Sequence, residues 1–198
     1  MISYLCLECD RTSEVSKTTL EYKMVSSNII LVGLMGSGKS TIGRKLSEIC
    51  EMDFYDSDIL IEQKTGKTIA QIFSEEGEPA FRQHEQAVID NILQKNKIIL
   101  ATGGGAILNA KSRALFKTHG TVFYLTASID ILLQRAEQAL AHRPLLHVAN
   151  PREKLETLLL QREAWYLEAA NHVISTENKS VDLACGEIYS IWKHPPSL

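Results

Sequence analysis

Residues 33 to 40 read Gly33-Leu34-Met35-Gly36-Ser37-Gly38-Lys39-Ser40 and fill every fixed place of G-x-x-x-x-G-K-[ST]. Glycines let successive backbone N–H groups turn inward and approach phosphate oxygens closely. A helix opening where the loop ends adds its N-terminal partial positive charge. A lysine here reaches the β- and γ-phosphates of a nucleotide, and a hydroxyl at the last place suits Mg²⁺. Gly36, Ser37, Gly38, Lys39, Ser40 and Thr41 are therefore the candidate phosphate-binding residues. A glycine-rich turn without a ligand is the plainer alternative. The loop directly follows an apolar run and opens a helical pattern, as phosphate binding demands. By itself it promises nucleotide binding and nothing finer.

Two acids follow, Asp56 and Asp58, just past the next apolar stretch. In an extended segment a spacing of two puts both carboxylates on one side. Beside a phosphate loop they suit two tasks, holding a metal's water shell and meeting a substrate hydroxyl. The competing reading is that Asp58 caps the next helix. Further along, Arg82 and Glu85 stand three apart on a predicted helix and share a face, which would also describe a solvent-facing pair. Gly103-Gly104-Gly105 then closes a third apolar run. Open α/β sheets bind ligands at such strand ends, where bare backbone leaves room, although a flexible turn would look the same.

The elements that must carry these residues alternate. Asn28 to Val32, Met52 to Tyr55, Lys97 to Ala101, Thr121 to Leu125 and His172 to Ser175 read as short strands. Helical spacing fills Ser37 to Cys50, Asp58 to Lys64 (stopped by Gly66), Glu78 to Gln94, Ile129 to Gln138 and Val181 to Trp192. Thr68 is placed to cap a helix running through Phe73, and Pro151 to begin one ending near Ala170. Strands alternating with helices predict an α/β fold, a parallel sheet with helices on both faces. Residues 139 to 150, with Pro144 inside, read as irregular, and 106 to 120 carry no assignment.

The chain has 198 residues, enough for one domain and its core. Its net charge of −3 lacks the basic surplus of a nucleic-acid binder. No apolar run is long enough to span a membrane. Residues 1–27 are polar and aperiodic, with Met24 just ahead of the first strand. They read as an N-terminal extension that is disordered or precedes the true start, leaving 28–198 as the domain. Cys6-Leu7-Glu8-Cys9 has metal-knuckle spacing without a second pair, so free thiols in a reducing cytoplasm are expected. His84 and His147 have no partner at ligand spacing. A GTPase would carry N-K-x-D, but Asn178-Lys179-Ser180-Val181 ends in valine.

Six segments taken together resemble the shikimate kinase family. They are the phosphate loop, Asp56-Ser57-Asp58, the run from Ile72 through Gly77-Glu78 and Phe81-Arg82 to Glu85, the triple glycine, Arg143-Pro144-Leu145-Leu146, and Arg162 with Tyr166 four residues on. The match runs in the family's order over about residues 28 to 190. It implies a three-layer P-loop kinase fold with a five-stranded parallel sheet flanked by helices, and transfer of the γ-phosphoryl of MgATP to the 3-hydroxyl of shikimate. By motif position it implies that Asp58 meets the reacting hydroxyl and that Arg82 and Arg162 clamp the substrate carboxylate. Gly104 and Gly105 would line the same pocket. Asp56 and Ser40 would attend Mg²⁺, Arg143 would close a lid over ATP, and Arg135 would lie beside adenine. The Arg135 assignment departs from the family by one residue of spacing to the lid arginine. A cytoplasmic monomer acting on ATP and shikimate, without nucleic acid or membrane, is expected. Gluconate kinase, nucleoside-monophosphate kinase and a non-catalytic nucleotide-binding module are the alternatives.

Overall fold

The computed structural model describes residues 28–137 and 150–194. Its sheet has five parallel strands in the order β2-β3-β1-β4-β5. They are β1 (Ile29–Val32), β2 (Asp53–Asp56), β3 (Ile98–Ala101), β4 (Thr121–Thr126) and β5 (His172–Ser175). The central strands are continuous apolar runs because both of their faces are covered. Side chains alternate between two cores with the strand period of two. Ile30, Val32, Leu100, Val122 and Tyr124 face one core. Ile29, Leu31, Ile99, Phe123 and Leu125 face the other.

Helices α1 (Lys39–Cys50) and α8 (Val181–Lys193) cover the second core through Ile42, Leu46, Ala184, Cys185 and Ile188. On the opposite face lie α4 (Gly77–Ile92), α5 (Ala110–His119), α6 (Ile129–Glu137) and α7 (Pro151–Ala169). Helices α2 (Ser57–Thr65) and α3 (Ile69–Glu75) pack with α4 around a small third core of Ile61, Ile72, Phe81 and Val88. The five-stranded sheet and its helical layers are therefore as expected, with ends moved by a residue or two. Helix α5 and the 3₁₀ turn before it, Ala106–Leu108, fill the stretch that had no assignment.

Helix starts obey local chemistry. Thr68 caps α3 with a full capping box, its hydroxyl accepting from the Gln71 N–H while the Gln71 side chain accepts from the Thr68 N–H. Thr68→Ala should lower unfolding stability by about 1 kcal/mol in urea titration. The cap of α2 is Asp56 rather than Asp58. Asp56 Oδ1 accepts from the N–H groups of Asp58 (3.0 Å) and Ile59 (3.5 Å). Asp56 leaves the strand with extended backbone, as a cap must, and so takes the place that the competing reading gave to Asp58. Asp58 is thereby left free for another role.

Among the described residues no helix is long and apolar enough to cross a membrane. Residues 1–27, with Cys6, Cys9 and Met24, lie outside them, as do Arg143, Pro144 and His147. Cys50 and Cys185 are free thiols.

Candidate active site

Strand order reverses about β1, and the carboxyl ends of β1, β3 and β2 open onto one crevice, the usual ligand position in such sheets. The phosphate loop leaves β1, the triple glycine leaves β3, and the two aspartates leave β2. A cavity of about 510 Å³ joins them. Gly36, Gly38, Lys39, Ser40 and Thr41 form its nucleotide end, while Asp58, Arg82, Gly104, Gly105 and Arg162 form the other. Asp56 also lines it.

At the nucleotide end Gly36 sits at φ +82°, and a Cβ there would lie 2.4 Å from the Leu132 carbonyl of α6, so only glycine fits. Lys39 is buried against the loop, its Nζ donating to the carbonyls of Gly33 (2.8 Å) and Leu34 (2.9 Å). The Ser37 side chain is buried beneath the loop rather than on the cavity wall. Ser40 Oγ donates to Asp56 Oδ2 at 2.6 Å, which joins the loop to the end of β2.

The far end carries opposite charges at close quarters. Arg82 donates to Glu85 Oε2 at 2.7 Å and to Glu78 Oε1 at 2.9 Å. Glu85 is only 3% exposed, so the pair is internal and not a solvated surface contact. Burial pushes the Glu85 carboxyl up against the pull of Arg82 and Arg162. Asp58 Oδ1 and Glu85 Oε1 are both shut off from water and lack a hydrogen-bond donor among the described residues. Burial first, then the charges of Asp56 and Glu85, push Asp58 up to about 7. Arg162 is 6% exposed and donates to the Gly104 carbonyl (3.1 Å), leaving its Nε without a partner among the described residues.

Several participants escape a reading of the sequence. Gly103 separates the two orphan carboxylate oxygens, and its N–H donates to Ser57 Oγ at 2.7 Å. Phe73 and Phe81, with ring centroids 4.7 Å apart, give the cavity an apolar wall. Phe73 and Phe81, each four residues from Gly77, could have suggested a wall, but nothing local marks Gly103 above its two neighbours. Arg113 donates to the Ile107 carbonyl (3.0 Å) and pairs with Glu168 (3.2 Å), tying the turn after the triple glycine to α7.

Arg135 lies away from this cavity. Its guanidinium donates to the Thr176 hydroxyl and carbonyl, both at 2.9 Å. Glu177 accepts from the N–H and hydroxyl of Ser128 at the start of α6. Arg135 on α6 is thus joined to Thr176 at the end of β5, and Glu177 beside it to Ser128 at the start of the same helix.

A parallel α/β sheet with a phosphate loop at its switch point and an acid-and-arginine acceptor end defines a P-loop phosphotransferase. Residues 35–192 match the family model for shikimate kinase. The shikimate kinase of Chromobacterium violaceum is 47% identical over 164 residues, covering 83% of this chain and 89% of that protein. The structure of shikimate kinase from Acinetobacter baumannii in complex with shikimate superposes with a TM-score of 0.82 at 41% identity, covering 89% of this chain and 98% of the other. A gluconokinase from Sinorhizobium meliloti shares the fold at a TM-score of 0.55 and 17% identity, with 85% and 92% covered. The chain belongs to the shikimate kinase family, and it is an ATP-dependent kinase.

Proposed function

We propose that this chain transfers the γ-phosphoryl of ATP to the 3-hydroxyl of shikimate, giving shikimate 3-phosphate and ADP for the chorismate route to aromatic amino acids. One observation carries the reading. Two guanidinium groups from separate helices, Arg82 and Arg162, line the same cavity as the Asp58 carboxylate and the phosphate loop. An acceptor bearing both a carboxylate and a hydroxyl fits that pairing. Arginine's planar fork holds the carboxylate, and Asp58 takes a hydrogen bond from the hydroxyl and receives its proton as the phosphoryl group arrives. Phosphoryl transfer asks little covalent work of a protein, so positioning and charge carry the rate.

Lys39 and the N–H groups of Gly36 to Thr41 hold the phosphate chain. The Ser40 hydroxyl and the Asp56 carboxylate, 2.6 Å apart, are hard oxygen donors that suit Mg²⁺. Among the described residues no three His, Cys, Asp or Glu side chains cluster as a metal cage, which fits an ion that arrives with the nucleotide and keeps most of its water. When bound, Mg²⁺ neutralises phosphate charge. Ser40 would hold it directly and Asp56 through water. Arg143 is assigned to close over the phosphates, and Arg135 to the adenine side. The enzyme is read as a cytoplasmic monomer.

Coupled ADP release with shikimate, gluconate and nucleoside monophosphates tests the proposal. Turnover should require Mg²⁺, cease with chelator, and occur with shikimate. Turnover with gluconate or a nucleotide and none with shikimate overturns it.

A further inference from the structure

Tyr166 is 1% exposed, and its ring stacks on Tyr124 with centroids 4.9 Å apart and planes 14° off parallel. It does not line the cavity. Its hydroxyl nevertheless donates to the Gly104 carbonyl at 2.5 Å, the oxygen that also accepts from Arg162 at 3.1 Å. Both lone pairs of that carbonyl are therefore taken from the α7 side.

The consequence falls on the next residue. The described peptide bonds are all trans, so the Gly104 carbonyl and the Gly105 N–H point opposite ways. With the oxygen drawn to α7, the Gly105 N–H is turned away from it. Gly105 is buried and forms part of the cavity wall, and its N–H has no acceptor among the described residues. Buried N–H groups without an acceptor are rare in native folds, which marks this one as reserved for a ligand. Arg82 lies against the same residue, its guanidinium 2.4 Å from where a Cβ would stand. A donor beside two guanidinium groups suits an anionic oxygen. A Gly–Gly peptide has no side chain to resist a flip, so its orientation must be imposed from outside.

We infer that Tyr166 is a positioning residue for the acid-binding end of the cavity: its hydroxyl, together with Arg162, holds the Gly104–Gly105 peptide so that the Gly105 N–H faces the acceptor's carboxylate. This rests on the function proposed above. Tyr166 touches neither substrate and acts through Gly104. Burial pushes its phenol well above the usual tyrosine range, so the hydroxyl stays a donor throughout the working pH.

Tyr166→Phe keeps the stacked ring and removes only the donor. The KM for shikimate should rise roughly tenfold, the effect of about one hydrogen bond, while the KM for ATP and kcat stay within about twofold. A KM does not depend on the fraction of chain that is folded, so partial unfolding does not blur the result. In the wild-type chain, addition of shikimate should slow exchange of the Gly105 amide hydrogen, a readout that needs no variant. An unmoved shikimate KM, equal rises in both KM values, or a Gly105 amide indifferent to shikimate overturns the inference while leaving the function standing. A wild-type chain that turns over no shikimate overturns both.

Discussion

Replacing Asp58 by Asn lowers kcat roughly 10³-fold, within the range for loss of a positioned acid or base, while ATP binds as before and the thermal midpoint rises. Asparagine keeps the size and one acceptor oxygen, so the cavity wall stays in place. It cannot receive the hydroxyl proton. Nucleotide binding is spared because Lys39 is held by the Gly33 and Leu34 carbonyls and Ser40 by Asp56, contacts that the substitution leaves in place. The gain in stability follows from the same burial that serves the chemistry. In the fold Asp58 keeps its proton up to about pH 7, whereas an ordinary aspartate gives it up near 3.8. The folded state therefore binds more protons than the unfolded one between these values. The stabilisation is full below about 3.8 and is lost as pH rises through about 7. The Asp58→Asn chain has no such loss, so its advantage should be seen at pH 8 and vanish toward pH 4, as measured by thermal denaturation across that range. In the wild type, kcat/KM for shikimate should fall on the acid side of about pH 7 as the free enzyme's Asp58 protonates. Near-normal turnover by the Asp58→Asn variant removes Asp58 from this role.

Asp58 also shows what a linear sequence can and cannot tell. Its type and place after β2 were legible, because strand ends and phosphate loops have local signatures. Its freedom from capping was not, since either Asp56 or Asp58 could have capped α2 and only the backbone turn at the end of β2 decides. The same limit applies to Arg82 and Glu85. Their spacing on one helix face was plain, but burial of the pair depends on Gly103 and Gly105 arriving from β3. Helix α5 was missed because it buries little of itself, chiefly Ser112 and Phe116, and begins on a single Asn109 cap. The positive site charges come from α1, α4 and α7, segments far apart in the chain. Composition alone could not converge them, and the resemblance to a family did.

Gly103→Ala should lower kcat/KM for shikimate roughly 10²-fold, the scale of an ångström's misplacement of reacting groups. The backbone itself would accept alanine, for Gly103 does not adopt a positive φ. What forbids it is crowding by charge. A Cβ would stand 2.6 Å from Asp58 Oδ1 and 2.8 Å from Glu85 Oε1. The glycine cannot retreat, because its N–H is held by Ser57 Oγ at 2.7 Å and its carbonyl accepts from the Ala106 N–H at 3.1 Å. The carboxylates must move instead. Glu85 carries Arg82 with it through their 2.7 Å contact, so one methyl group displaces both Asp58, proposed to meet the hydroxyl, and one of the two arginines proposed to hold the acid. Overpacking of this kind costs about 1–3 kcal/mol of stability. ATP affinity should be untouched, since the loop lies at the other end of the cavity. Gly186→Ala supplies the control. It lies inside α8 with nothing within 4 Å of its Cβ position, so there the same substitution should stabilise by about 0.5–1 kcal/mol through helix propensity and leave turnover alone. A Gly103→Ala enzyme with shikimate kcat/KM within about threefold of wild type, where the crowding predicts far more, would mean that Asp58 and Glu85 have slack, and that the narrow gap between them plays no part in placing the acceptor.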